Sequence, residues 1–163
     1  MDIAPQELVD AIIFHLRNDS QSLQACSLVS HSLQLPSQRY IFYCVRLAPP
    51  LPTKRPRSTS MPGNTCDRFF NLLSASPSIA PLVKELIIDT GDSKPWSGPW
   101  VSTSTRLPEV IRMLSNLQSI SLHYAAFFSS LNWRDLPTEF QQTLSSVFKG
   151  SLKSMKAFIT KYS

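Results

Sequence analysis

A chain of 163 residues with 42% hydrophobic content is long enough to bury a core and too apolar to be disordered throughout. The formal charge of +5 is spread along the chain: Lys149, Lys153, Lys156 and Lys161 follow the last acid, Glu139, and Lys54, Arg55 and Arg57 form the one basic cluster. That balance is only mildly basic and speaks against a nucleic-acid partner.

Asp2, Glu7, Asp10 and Asp19 stand where a secretory signal would need a basic start and a long apolar run. No apolar stretch approaches the roughly 20 residues needed to cross a bilayer. Cys26, Cys44 and Cys66 lie in or beside apolar runs without C-x-x-C spacing, which suits reduced thiols. A soluble protein of the cytoplasm or nucleus, with no membrane partner, is the expectation.

The first segment, 1–47, reads as three short helices. Helix one is predicted to begin at about Pro5, where a first helical residue tolerates a missing N–H, with Glu7 favouring the positive helix start. Its apolar residues, Leu8, Val9, Ile12, Ile13 and Leu16, form two adjacent rows at helical spacing that cover a wide face. Asn18-Asp19-Ser20 supplies stop and cap chemistry. A second helix carries Leu23, Ala25, Cys26, Leu28 and Val29, and Pro36 with Ser37 is predicted to open a third through Tyr40, Ile41 and Phe42.

The run IAPQELVDAIIFHL, followed by LQACSLVSHSLQLPSQRYIFYCVRL, resembles the fungal-type F-box over about residues 3–47. The matching features are a proline, a Glu-Leu pair, a spaced Ile and Leu, a Cys-Ser-Leu-Val turn and an Arg-x-x-Phe helix. Two positions depart from the family pattern: Ala4 stands where leucine usually precedes the proline, and Leu33 where tryptophan or phenylalanine is common. The resemblance implies that Pro5, Glu7, Leu8, Ile12, Leu28, Val29 and Leu33 help form a surface for a Skp-family adaptor. Through it the chain would join a cullin-type ubiquitin ligase. Helical apolar stripes usually face inward, yet so small a bundle can hardly hide both rows of helix one, and a partner helix would cover the surplus.

Residues 48–66 carry Pro49, Pro50, Pro52, Pro56 and Pro62 among Ser and Thr, a composition expected of a mobile linker or long loop. Pro49 to Lys54 fits a Pro-x-x-Pro ligand with a following cation, and Lys54-Arg55-Pro56-Arg57 is a short basic run of the kind most often found in solvated linkers.

From 67 to 163 a pattern recurs: Val83-x-x-Leu86-x-Ile88, Leu117-x-x-Ile120-x-Leu122 and Leu152-x-x-Met155-x-Ala157. Each copy follows an amphipathic stretch, Phe69 to Ser74, Leu107 to Leu114 and Phe140 to Phe148. A repeated helix and short strand is the signature of a leucine-rich-repeat-like solenoid, with Val45 to Leu47 as a candidate earlier strand. An ordinary α/β layer without a true repeat is the alternative. The fold class expected is α+β: a three-helix F-box-like bundle followed by a short helix/strand layer. The long connection from Asp89 to Arg106 carries Trp96 and Trp100, either anchors at a target-binding surface or side chains folded back onto a core. No cap follows Ile159, so an incomplete repeat region and self-association are expected, against which the late lysines act as edge protection.

Catalytic signals are missing. Gly63, Gly91, Gly98 and Gly150 are isolated and form no phosphate-binding fingerprint. His15, His31 and His123 lack zinc-ligand spacing, and no G-x-S-x-G elbow occurs. The expected function is therefore non-enzymatic and cofactor-free. It is a substrate receptor holding an unidentified target protein or, alternatively, a scaffold or shortened F-box-like protein without adaptor binding.

Overall fold

The computed structural model describes residues 5–49, 65–89, 100–125, 136–150 and 154–160. Three helices open the chain, α1 (Gln6–His15), α2 (Ser20–Val29) and α3 (His31–Ile41). Pro5, predicted as about the first helical residue, is the N-cap of α1, one place before its first helical residue Gln6, and its carbonyl accepts the Leu8 and Val9 N–H groups. Asp19 caps α2: its Oδ2 accepts the Ser22 hydroxyl at 2.6 Å, and its Oδ1 accepts the Ser22 and Gln21 amides at 3.1 Å each. The Ser22 hydroxyl, then the Ser22 amide, hold this carboxyl below its ordinary value.

The third helix begins at His31, not at Pro36. Ser30 supplies the cap, its Oγ accepting the Ser32 N–H at 3.3 Å, and a single non-helical residue therefore separates α2 from α3. Pro36 lies inside α3, where it forgoes a bond to the Ser32 carbonyl, and it is buried. Both α1 and α2 pack on α3. The buried apolar residues of these helices are Val9, Ile13 and Leu23, with Pro36 and Ser37 of α3 also buried.

A small parallel sheet follows, with strands β1 (Cys44–Leu47), β2 (Glu85–Asp89), β3 (Ser119–Ala125) and β4 (Ser154–Thr160) in the order β1-β2-β3-β4. Between them run α4 (Thr65–Ala75), a 3-10 helix (Pro77–Leu82), the single turn α5 (Trp100–Thr103), α6 (Arg106–Met113) and α7 (Thr138–Gly150). Register places Val45, Leu86, Ile120 and Met155 in one row and Leu47, Ile88, Leu122 and Ala157 in the next. Equivalent positions of the repeated pattern thus become neighbours across the sheet, and β1 supplies the earlier strand.

Leu47, Leu86, Ile88, Ile120 and Leu122 are buried in one core with Leu73 of α4, Leu107 and Ile111 of α6, and Phe140 and Leu144 of α7. The intervening strand residues Arg46, Glu85, Ile87, Ser119 and Ser121 are exposed or partly exposed. Period-two alternation therefore sends one set of side chains into a helical layer and leaves the other in water. The chain is a mixed α+β structure, mostly helical. Among the described residues no helix is long and apolar enough to cross a membrane.

Two boundaries differ from those read in the sequence. Cys44 to Leu47 belongs to the sheet, as the candidate strand Val45 to Leu47 implies, and the helical bundle therefore ends before residue 47: the Tyr43 carbonyl accepts the Lys84 and Glu85 amides at 2.9 Å each and starts the pairing of β1 with β2. Thr65 and Cys66, counted with the linker, form the first turn of α4. The Thr65 hydroxyl donates to the Ala48 carbonyl and accepts the Ala48 N–H at 3.0 Å, so the two ends of the Pro-rich stretch are joined. Residues 50–64, including the basic cluster and all of the Pro-x-x-Pro match except Pro49, lie outside the described residues.

Candidate functional site

The helix α1 resolves its two apolar rows in opposite ways. Val9 and Ile13 are buried, whereas Leu8 is 54% and Ile12 48% exposed. A helix turns about 100° per residue, so residues 5, 8 and 12 form one stripe beside the row that meets the bundle. Pro5 and Glu7 are exposed as well. The bundle covers the row of Val9 and Ile13 and leaves the row of Leu8 and Ile12 about half exposed.

Leu28 and Val29, the last two residues of α2, are 87% and 77% exposed. They precede the tight α2–α3 corner, where the Ser30 carbonyl accepts the Leu33 N–H at 3.1 Å. Leu33 itself is partly buried in the first turn of α3. Six of the seven residues read from the sequence thus fall into two groups, a stripe of Pro5, Leu8 and Ile12 on α1 and a corner between α2 and α3, whereas Glu7 is exposed about 100° round the helix from Leu8 and stands off the stripe. Phe14 and Leu35 are also large, apolar and exposed, and the sequence reading missed both. For Phe14 the signal was the Arg17 three residues on, whose guanidinium lies over its ring at 4.1 Å.

Trp100 is not a surface anchor. It is only 8% exposed, packs in the main core, and its indole N–H donates to the Asp89 carbonyl at 2.7 Å. The bulky ring and its single donor together tie the end of β2 to the start of α5. Trp96 lies outside the described residues.

The open sheet face carries a diagonal ion pair, with Arg46 Nη2 3.2 Å from Asp89 Oδ2, next to Cys44, Glu85 and His123. Cys44 is exposed, and its thiol is pushed up by burial of the sulfur first and by the Glu85 charge second. Cys66 is buried, and burial pushes its thiol up to about 11 although the Ser104 hydroxyl donates to it at 3.9 Å. Neither environment favours a thiolate at neutral pH. Among the described residues no three His, Cys, Asp or Glu side chains gather as a metal site.

What this arrangement can do chemically is bind: exposed aliphatic side chains on short, capped helices, and a polar sheet face beside them. No family model, curated protein or solved structure matches the chain.

Proposed function

We propose that this protein is a non-catalytic F-box-type substrate receptor that links a target protein to a cullin-type ubiquitin ligase through a Skp-family adaptor. The observation that carries the reading is the exposed row of Leu8 and Ile12 beside the buried row of Val9 and Ile13. Burying a fully exposed side chain of this size is worth about 1.5–3 kcal/mol, so covering the half of each that Leu8 and Ile12 still expose is worth roughly half as much apiece and favours association with a partner helix. Leu28 and Val29 add apolar surface at the α2–α3 corner. The parallel strand order and the matched register of Leu86, Ile120 and Met155 support a leucine-rich-repeat-like layer, whose open face would hold the target.

Co-expression with an adaptor of this type tests the proposal, with co-elution on size exclusion as the expected result. The alternative, a scaffold without adaptor binding, draws on Leu33: partly buried, it offers less surface than the aromatic side chain common at this point of the family. Co-purification without adaptor, at normal folding, is what that alternative expects.

A further inference from the structure

The helical bundle and the sheet meet at a cleft of about 430 Å³, a size typical of small-molecule sites. Its polar lining is Arg39 and Tyr40 from the last turns of α3, Tyr43, Lys84, and Asp10 from α1. Tyr43 and Lys84 are held by main-chain bonds at the leading ends of β1 and β2. The Tyr43 carbonyl accepts the Lys84 amide, and the Lys84 carbonyl accepts the Gln118 and Ser119 amides at 2.8 and 3.1 Å. Pro36, Pro81 and Leu82 complete an apolar wall.

The charges here are unbalanced. Among the described residues Arg39 and Lys84 form no ion pair and no side-chain hydrogen bond. Among the described residues Asp10 is the single acid of the lining, and its Oδ1 already accepts the Gln6 side-chain amide at 2.9 Å. Two cations without partners, set beside phenol rings and an aliphatic wall, match a ligand with one anionic end and an apolar body.

We propose that this cleft binds a small organic anion, a carboxylate or phosphate monoester on an aromatic or aliphatic body. Arg39 and Lys84 take the anionic group, while Tyr40, Tyr43 and Leu82 pack on the body. The site is independent of the exposed α1 stripe. Asp10 is two residues from both Leu8 and Ile12, and two residues turn a helix through about 200°, so the cleft and the stripe lie on opposite sides of α1.

Titration of the 163-residue chain, followed by calorimetry and amide NMR shifts, tests the assignment with benzoate, phenyl phosphate, inorganic phosphate and benzylamine. Benzoate or phenyl phosphate is expected to bind and to move the Tyr43 and Lys84 amide signals, the tighter of the two showing which anionic group the cleft prefers. Inorganic phosphate should bind more weakly, and benzylamine not at all. Arg39→Gln and Lys84→Gln should each weaken the aromatic anion about tenfold, the scale of one charge-assisted hydrogen bond, without lowering thermal stability. The assignment is overturned if neither aromatic anion binds at millimolar concentration, if benzylamine binds equally well, or if the folded double variant keeps full affinity.

Discussion

Ser37 carries a fully buried hydroxyl that, among the described residues, meets no hydrogen-bond partner. An unsatisfied buried donor costs about 1–3 kcal/mol. Ser37→Ala should therefore raise stability by about 1 kcal/mol, read as a higher urea midpoint at unchanged slope; a lower midpoint would contradict the assignment. The Cys66 thiol gives a second residue-level expectation. Its folded pKa of about 11 lies above the ordinary 9.0, so the unfolded chain releases this proton first as pH rises. The contribution is fully present below pH 9.0 and is lost as pH climbs toward 11, so stability should fall across that window and Cys66→Ser should flatten the slope. With iodoacetamide at neutral pH, exposed Cys44 should be labelled before Cys66, as mass spectrometry of the digested protein would show.

Across elements, the strand register is the most testable feature. Leu86 and Ile120 are fully buried neighbours on β2 and β3. Replacing either with alanine should cost about 2–5 kcal/mol, and the double variant should depart from additivity by about 0.5–3 kcal/mol. Purely additive losses would mean that these side chains do not share a core. The buried positions of these strands were legible in the sequence because the same apolar spacing recurs in each copy, whereas which strands pair, and in what register, is set by packing between distant segments. The double row of α1 was legible for a similar reason: its periodicity is strong and the helix short. The start of α3 was not, since Ser27, Ser30 and Ser32 all offer cap chemistry and Pro36-Ser37 imitates a helix opening. Trp100 sits among residues that read as loop, and only the approach of β2 to α5 gives its indole N–H an acceptor. The cleft was invisible for the same reason, because Asp10, Arg39 and Lys84 are brought together by packing between segments far apart in the chain.

In the whole molecule, Tyr43 leads α3 into the sheet, and main-chain bonds from Tyr43 to Lys84 and Glu85 and from Lys84 to Gln118 and Ser119 join the leading ends of β1, β2 and β3. The Ala48–Thr65 clamp joins the ends of the Pro-rich segment, so closing that gap needs only a short bridge. Replacing residues 50–64 with a few Gly and Ser residues should raise the thermal unfolding midpoint by a few degrees, since about two halvings of loop length relieve about 1 kcal/mol of closure entropy. A large drop would mean that the segment contributes packing. The unit formed by α1, α2 and α3 keeps Val9, Ile13 and Leu23 inside and Leu8, Ile12, Leu28 and Val29 outside, and function is proposed for the outside set. Size-exclusion co-elution with a Skp-family adaptor, run for the unmodified chain and for Leu8→Asp, tests that division most directly. The unmodified chain should co-elute, while Leu8→Asp should not, yet should keep an unchanged circular dichroism spectrum because the substituted side chain is already half in solvent. Failure of the unmodified, folded chain to co-elute, or full binding by Leu8→Asp, would contradict the proposed receptor function.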